Sequence, residues 1–230
     1  GMNAQIEAGT YVDLVNLCET RQNAMLYELG SKIQSSIDET KLICIAGPSS
    51  SGKTTFSNRL RIELMSRGIK PLRISLDMYY KEKDQCPLDE DGKPDFENID
   101  ALDLEHFNEQ MIALIHGEEV ELPVFDFGSG RLQSGIKTRI DEHTPIIIEG
   151  IHALNDKLSF AIPTHQKFKI YIAPQFVLNL DNDNPVSLTD LRLLRRIVRD
   201  RQFRSTDAEK TIEMWSSVRR GEFEWIYPYQ

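Results

Sequence analysis

Cysteine is scarce in this chain, and long apolar runs are missing altogether. The 230 residues include three cysteines, Cys18, Cys44 and Cys86, which are far apart and lack metal-ligand spacing. Such a set argues against a disulfide framework and fits a reducing compartment, so we expect a cytoplasmic protein. The longest apolar stretches are a handful of residues, whereas a membrane-spanning helix needs about 20. A disulfide-rich secreted domain and a membrane protein are therefore both disfavoured.

Basic residues are fewer than acidic residues in this chain. The net charge is −9, from 27 Lys and Arg against 36 Asp and Glu. An acidic chain is a poor candidate for binding nucleic acid or an anionic membrane, although a local basic patch is compatible with it. Repeats and low-complexity segments are also absent from the sequence. With 40% hydrophobic residues, the chain can bury the core of one sizeable domain.

Short apolar segments rich in isoleucine recur along the chain. Strands covered on both faces have this composition, and they are predicted at 42–46, 72–76, 145–149 and 168–172. Further extended segments joined by turns are predicted over 120–139.

Helical patterns lie between and before these strands. One or two amphipathic helices are predicted over 11–37, and single helices over 54–67 and 102–115. Asp100 or Asp103 is the candidate cap of the last one. The alternation predicts an α/β fold in which helices flank a mainly parallel sheet and ligands bind at the carboxyl ends of the strands.

A glycine-rich stretch, GPSSSGKTT, follows the first predicted strand directly. Its spacing is typical of the phosphate-binding loop of nucleoside triphosphate enzymes, where glycines let backbone N–H groups surround phosphate oxygens. Lys53 would then reach the β- and γ-phosphates, and the Thr54 hydroxyl would ligate Mg²⁺. The alternative is a loop that caps a helix, with Lys53 merely solvated. The predicted nucleotide-binding residues are Gly47, Ser49, Ser50, Ser51, Gly52, Lys53, Thr54 and Thr55.

Three broad functions use such a loop: a switch GTPase, a mechanical ATPase and a kinase of a small molecule. The Asn-Lys-x-Asp motif of GTPases and the Ser-Gly-Gly signature of transporter ATPases are both absent from the sequence. The rest of the chain favours the kinase.

Two carboxylates stand at predicted strand ends. Asp77, in SLDMYYK, is expected beside the phosphate loop, where it can accept a hydroxyl proton or help to hold the metal. Glu149 follows three isoleucines, where a carboxylate is costly unless it meets a cation or a hydrogen-bond network, and a metal-bound water is the expected partner. The alternatives are a helix cap for Asp77 and a structural salt bridge for Glu149.

Six arginines lie within residues 192–204. Mobile arginines can neutralise the charge of a transferring phosphoryl group and exclude water. The alternatives are a solvated helix face with Asp190 and Asp200 as partners, and an RNA-binding run, which the lack of interleaved aromatics disfavours. Four of the arginines have helical spacings: Arg192, Arg195, Arg196 and Arg199.

In order along the chain, these segments resemble the uridine kinase/phosphoribulokinase family of P-loop kinases. The resemblance is carried by GPSSSGKTTF, SLDMYYK, PDFENIDALD, PVFDF, IIIEGIHAL and RRIVRD. The loop is shared by many families, whereas the ordered set is specific. The resemblance implies a P-loop NTPase three-layer sandwich with an Arg-rich lid. It also implies a phosphotransferase that uses ATP and Mg²⁺ and acts on a hydroxyl of a small molecule.

The resemblance further implies catalytic roles for individual residues. Asp77 matches the strand-end aspartate that acts as the base, and Glu149 matches the glutamate near the magnesium. The predicted metal-binding set is thus Thr54, Asp77 and Glu149. The lid positions matched are Arg196, Arg199 and Arg204, which in the family close on the triphosphate and the transferred group, so Arg204 is added to the predicted nucleotide-binding residues. The predicted catalytic residues are Asp77, Lys53, Arg196 and Arg199.

On the acceptor side, Glu97 and Asp126 match acidic positions around the acceptor's sugar. The full predicted substrate-binding set is Asp77, Tyr79, Glu97, Phe125, Asp126 and Arg196. Uridine kinases usually have aspartate in place of Glu97, and tyrosine in place of Phe125 with a histidine nearby. Here Gly-Ser-Gly stands at 128–130, and the lid reads RST at 204–206 where Arg-Gly-Arg is common.

These departures leave the acceptor open. A nucleoside is the first candidate, and a sugar phosphate, a pantothenate-like molecule or glycerate is the second. An interpretation of another class is a regulatory module that binds nucleotide without transferring phosphate.

The predicted organisation is a helical lead-in at 1–40 followed by a P-loop kinase domain at 41–230 that lacks a final strand and helix. Family members usually continue further, so we expect a module of a longer chain. The resemblance is greatest to bacterial nucleoside-kinase-like modules that follow a threonyl-tRNA-synthetase-like region, which would make the helix at 11–37 the join. The oligomeric state stays open, with a homo-oligomer among the alternatives.

Overall fold

The computed structural model describes residues 2–126, 131–175, 181 and 184–230, with the backbone alone for Met2, Phe125, Asp126 and 131–134. A parallel sheet has the strand order β2-β5-β1-β6, and an antiparallel hairpin joins β3 to β4. The strands are β1 (Leu42–Ala46), β2 (Leu72–Ser75), β3 (Val120–Asp126), β4 (Arg131–Thr138), β5 (Ile146–Glu149) and β6 (Lys167–Tyr171).

Helices cover both faces of the parallel sheet. The α-helices are α1 (Met2–Glu7), α2 (Tyr11–Ser35), α3 (Lys53–Ser66), α4 (Leu104–Ile115), α5 (Leu188–Phe203), α6 (Ala208–Glu213) and α7 (Trp215–Gly221). A π-helical turn, Glu222–Ile226, continues α7. Short 3₁₀ turns are Leu76–Tyr79, Ile99–Ala101, Thr164–Gln166 and Tyr227–Tyr229. Within the described ranges, none of these helices has the length and hydrophobicity to cross a bilayer.

The sheet divides the core into two apolar layers. Side chains alternate along β1, so that Leu42 and Cys44 pack towards α4 while Ile43 and Ile45 pack towards α2 and α3. Every residue of β1 is buried, and each fully buried aliphatic side chain contributes about 1.5–3 kcal/mol. The predicted three-layer α/β sandwich is confirmed.

The ends of the elements differ in detail from the prediction. β2 ends at Ser75, because the Ser75 hydroxyl accepts a hydrogen bond from the backbone N–H of Asp77 and starts a 3₁₀ turn. Of the two candidate caps of α4, Asp103 is the one used, since its carboxylate accepts from the N–H of His106 at 3.0 Å. The extended segments predicted over 120–139 are the β3–β4 hairpin.

The strand order also corrects where Asp77 lies. β5 lies between β1 and β2, so Glu149 is on the strand adjacent to the phosphate loop and Asp77 is one strand further away. The register pairs Ser75 with Glu149 and Ile45 with Glu149, which aligns all three strand ends at one edge. The candidate site therefore spans three strands.

Candidate active site

The loop between β1 and α3 has backbone geometry that suits close contact with a ligand. At Gly47 a β-carbon would lie 2.5 Å from the carbonyl oxygen of Ile172, so only glycine fits there. Gly52 and Ser50 have φ values of 99° and 60°, and for serine this left-handed conformation costs on the order of 1–2 kcal/mol. The buried hydroxyls of Ser50 and Ser51 have no hydrogen-bond partner among the described residues. Strain and unpaired donors of this kind concentrate at functional sites.

Lys53, the first residue of α3, folds back over this loop. Its Nζ donates to the carbonyl oxygens of Gly47 at 2.8 Å and Pro48 at 3.1 Å. Burial lowers the pKa of Lys53 to about 8, opposed by the negative charges of Glu149, Asp77 and Glu97. The ammonium group and three carboxylates thus share one electrostatic environment. Thr55 is exposed in the first turn of the same helix.

Thr54 and Glu149 form a pair of oxygen ligands beside the loop. The Thr54 hydroxyl donates to Glu149 Oε1 at 2.9 Å, and Glu149 is only 5% exposed. Burial raises the pKa of Glu149, and Lys53 partly offsets this. Within the described ranges no group of three or more His, Cys, Asp or Glu side chains could hold a metal. Magnesium usually takes one or two protein carboxylates and completes its shell with phosphate and water, so this pair fits it.

Asp77 lies in the 3₁₀ turn beyond β2, and its side chain is 42% exposed. Ser75 caps that turn, so the interpretation of Asp77 as a helix cap is wrong. Its Oδ2 lies 3.9 Å from Nη2 of Arg204. Ser75 pairs with Glu149, so Asp77 follows a strand end at the same edge of the sheet as the phosphate loop, and its charge acts on the pKa of Lys53.

Two arginines of α5 and Arg204, the residue that follows this helix, gather around one carboxylate. Asp200, which is 2% exposed, lies within 3.2 Å of Arg196, 2.7 Å of Arg199 and 4.0 Å of Arg204. Arg196 also donates from Nη1 to the Ser49 hydroxyl at 2.7 Å. Asp200 is thus an ion-pair partner of the arginines, as the alternative of a solvated helix face predicted. This face of α5 is not solvated, however, since Arg196 and Asp200 are buried. Three cations on one anion leave net positive charge next to the phosphate loop.

The Phosphoribulokinase / Uridine kinase family model matches residues 42–229. This chain belongs to the phosphoribulokinase/uridine kinase family. It is 32% identical over 181 residues to proteins named uridine kinase from Staphylococcus aureus strains JH9 and Newman, covering 79% of this chain and 78% of each relative.

Solved structures of the same fold support the architecture of this family member. One from Silicibacter sp. TM1040, whose name proposes a fructose transport system kinase, superposes with a TM-score of 0.60 at 17% identity. The superposition covers 87% of this chain and 95% of the Silicibacter chain. The YGR205w protein superposes with a TM-score of 0.52 at 16% identity, covering 83% and 80%. At these identities the two structures show the fold alone.

In this family member, the adjacent residues Tyr79 and Tyr80 have different surroundings. Tyr79 is 2% exposed and donates from its hydroxyl to Gln110 Oε1 at 2.8 Å, so the prediction that it contacts substrate is wrong. The Tyr80 hydroxyl donates to the carbonyl oxygen of Phe96, the residue before Glu97, at 3.0 Å, and burial raises the pKa of Tyr80. A 3₁₀ turn rotates about 120° per residue, which sends neighbouring side chains to different sides.

Glu97, which is predicted to contact the acceptor, packs against Gly221 at the end of α7. Burial raises the pKa of Glu97 to about 7, opposed by Arg196 and Lys53. A β-carbon on Gly221 would lie 2.5 Å from the Glu97 Cβ, so glycine makes room for this side chain. The side chains of Phe125 and Asp126, and all of 128–130, lie outside the described residues. The backbone of Phe125 and Asp126 ends β3.

The sequence prediction missed two residues that the structure connects to the phosphate loop. Arg192 Nε donates to the Ser49 carbonyl oxygen at 2.9 Å, and Arg192 also forms an ion pair with Glu222. Arg192 could have been found from the sequence, because it lies one helical turn before Arg196. Glu222 is 30 residues further along, and nothing in its neighbourhood indicates the pairing.

Proposed function

We propose that this family member is an ATP- and Mg²⁺-dependent kinase that transfers the γ-phosphate to a hydroxyl of a small molecule. A nucleoside is the acceptor we favour. The observation that carries the proposal is geometric: Glu149 and the turn that holds Asp77 follow neighbouring strands in register, and the Thr54 hydroxyl at the phosphate loop donates to Glu149. Both carboxylates also oppose the lowering of the Lys53 pKa by burial. Charge neutralisation and a positioned base are what phosphoryl transfer requires of a protein.

The phosphate loop and α5 would hold the triphosphate. The N–H groups at the start of α3 and the Lys53 ammonium supply hydrogen-bond donors. Arg196, which donates a hydrogen bond to the Ser49 hydroxyl, and Arg199 add positive charge next to the loop. Thr54 and Glu149 would hold Mg²⁺, which neutralises phosphate charge when it is bound.

Asp77 would act as the general base. Its carboxylate accepts the proton of the acceptor hydroxyl while the hydroxyl oxygen bonds to the γ-phosphorus. The bond between that phosphorus and the β–γ bridging oxygen breaks, and ADP leaves with the electron pair. The side chain of Asp77 is half-exposed, so its carboxyl group contacts water and can release the proton there.

The acceptor side supports a nucleoside. Glu97 and Tyr80 lie beside Asp77, and a carboxylate there can accept hydrogen bonds from sugar hydroxyls. The Staphylococcus aureus relatives are named uridine kinase. The second candidate is another small alcohol, which the phenylalanine at 125 and the absence of histidine at 128–130 favour, because a site that reads a base edge depends on such polar groups.

An acceptor screen tests this function. Mg-ATP and the protein are incubated with nucleosides, sugar phosphates and other small alcohols, and ADP release is measured. We expect at least one nucleoside to raise the rate about tenfold or more over the acceptor-free rate. Stimulation by non-nucleoside alcohols alone would support the second candidate. Nucleotide-dependent partner binding with no stimulation by any acceptor would support the regulatory module instead.

The lowered pKa of Lys53 predicts how nucleotide use depends on pH. The lysine carries its charge below its pKa and loses it above, so kcat/KM for ATP should fall as pH rises through about 8. The measurement is kcat/KM for ATP at constant ionic strength, from about pH 6.5 to 9.5. Lys53→Arg keeps its charge throughout and should lack this alkaline limb. An unchanged limb in that variant would assign the titration to another group.

A further inference from the structure

Glu222 is a completely buried carboxylate for which the proposed chemistry has no use. It is 0% exposed and forms ion pairs with Arg192 and Arg219. Removing a carboxylate from water costs several kcal/mol, and an ion pair often repays only part of it. The buried Glu222 carboxylate at the end of α7 is therefore destabilising by itself. The contacts of its two arginine partners indicate its role.

The two arginines that pair with Glu222 differ in what else they touch. Arg192 donates from Nε to the Ser49 carbonyl oxygen at 2.9 Å, and its guanidinium lies over the Trp215 ring at 5.4 Å. Arg219 contacts the Tyr227 hydroxyl at 3.2 Å, a group with which Arg192 also interacts, and the Phe223 ring, both in the C-terminal segment. Among these contacts, the path from Glu222 to the phosphate loop therefore runs through Arg192.

Ser49 is the residue at which α5 holds the phosphate loop. Arg192 binds its carbonyl oxygen and Arg196 binds its hydroxyl. In a planar trans peptide the carbonyl group and the following N–H point in opposite directions. Holding the Ser49 carbonyl towards α5 therefore directs the N–H of Ser50 away from α5. Among the serines of the phosphate loop, Ser50 is also the one with left-handed backbone geometry, so its peptide needs such an external restraint.

We propose that Glu222 is a positioning residue for the phosphate loop, acting through Arg192. The carboxylate fixes the guanidinium so that Nε anchors the Ser49 carbonyl, and this keeps the Ser50 N–H oriented for phosphate. The inference rests on the proposed nucleotide-binding function. It makes the C-terminal turn part of the machinery that prepares the loop.

Three variants and one direct binding measurement test the inference. Glu222→Gln keeps the shape and removes the charge that fixes Arg192. Arg192→Lys keeps the ion pair but replaces a planar fork by a single ammonium, which cannot hold Glu222 and Ser49 in the same way. Arg219→Gln is the matched control, because it removes the other cation of Glu222 and leaves the path to the loop intact. Calorimetry gives the Kd for Mg-ATP, and thermal melts of the same samples report folding.

We expect Glu222→Gln and Arg192→Lys each to raise the Kd for Mg-ATP about tenfold, and Arg219→Gln to change it less than about twofold. The double variant Glu222→Gln/Arg192→Lys should be no weaker than the worse single variant, because both act on one path. In turnover assays, the KM for ATP should rise more than kcat falls. A purely structural ion pair would lower the melting temperature without moving the Kd of the folded protein.

The outcomes separate this inference from the proposed function. If the original chain binds Mg-ATP and transfers phosphate while both variants bind with unchanged Kd, the positioning role is overturned and the kinase stands. If the original chain binds no Mg-ATP, both are overturned. Should Glu222→Gln fail to fold, Arg192→Lys decides, because it retains the opposite charge beside Glu222.

Discussion

Replacing Asp77 with asparagine should lower kcat by roughly 10²–10⁴-fold and change the Kd for Mg-ATP by less than about threefold. Asparagine keeps the size of the side chain but cannot accept the proton of an acceptor hydroxyl. The carboxylate is half-exposed in the 3₁₀ turn beyond β2, away from the backbone of the phosphate loop, so nucleotide binding should survive. Steady-state rates with the best acceptor and calorimetry with Mg-ATP measure the two quantities.

The matched control for this variant is Asp100→Asn. Asp100 is an aspartate of similar exposure that pairs with Lys157 rather than with any group of the proposed site. It should leave kcat within about twofold, since exposed ion pairs contribute little. Transfer at near-original rates by the Asp77 variant would mean that another group takes the proton.

Lys53→Ala should have the second large effect, and unlike the first it should affect both binding and transfer. We expect the Kd for Mg-ATP to rise and kcat to fall, each by about 10²-fold or more, because an interaction with charge developing on the phosphate is lost. The Gly47 and Pro48 carbonyls also lose the donor that now contacts them. Calorimetry and turnover assays measure these effects, with thermal melts to report folding.

Arg61→Ala is the control on the same helix. Arg61 contacts Asn58 and Met65 on α3 and is remote from the loop, so its loss should leave both constants near the original values. Unchanged kinetics in Lys53→Ala would contradict the assignment of the stretch Gly47–Thr54 as a phosphate loop.

Local chemistry made much of this architecture predictable. The run at 42–46 is apolar at every position because both faces of β1 are covered, and the structure places the strand at Leu42–Ala46. The glycine spacing after it reflects backbone needs that the structure shows at Gly47 and Gly52. Such features depend on a few neighbouring residues, so the sequence carries them directly.

Features that depend on three-dimensional arrangement were less accessible. The pattern in SLDMYYK could not indicate that the strand stops at Ser75, or that Tyr79 is buried in the turn that follows. Four of the arginines have helical spacings, in agreement with α5, but the spacing could not indicate which of them reach Asp200. Arg192 and Glu222 are 30 residues apart, and the hydrophobic periodicity of a sequence does not predict contacts between separate helices.

The shared position of Asp200 has a consequence for how α5 would engage a nucleotide. A guanidinium that moves from Asp200 to a phosphate oxygen exchanges one anion for another, and the two arginines left behind keep the carboxylate compensated. Recruitment can then proceed one arginine at a time without exposing an uncompensated buried charge. A buried carboxylate shared in this way holds three guanidinium groups close to the phosphate loop before a nucleotide binds.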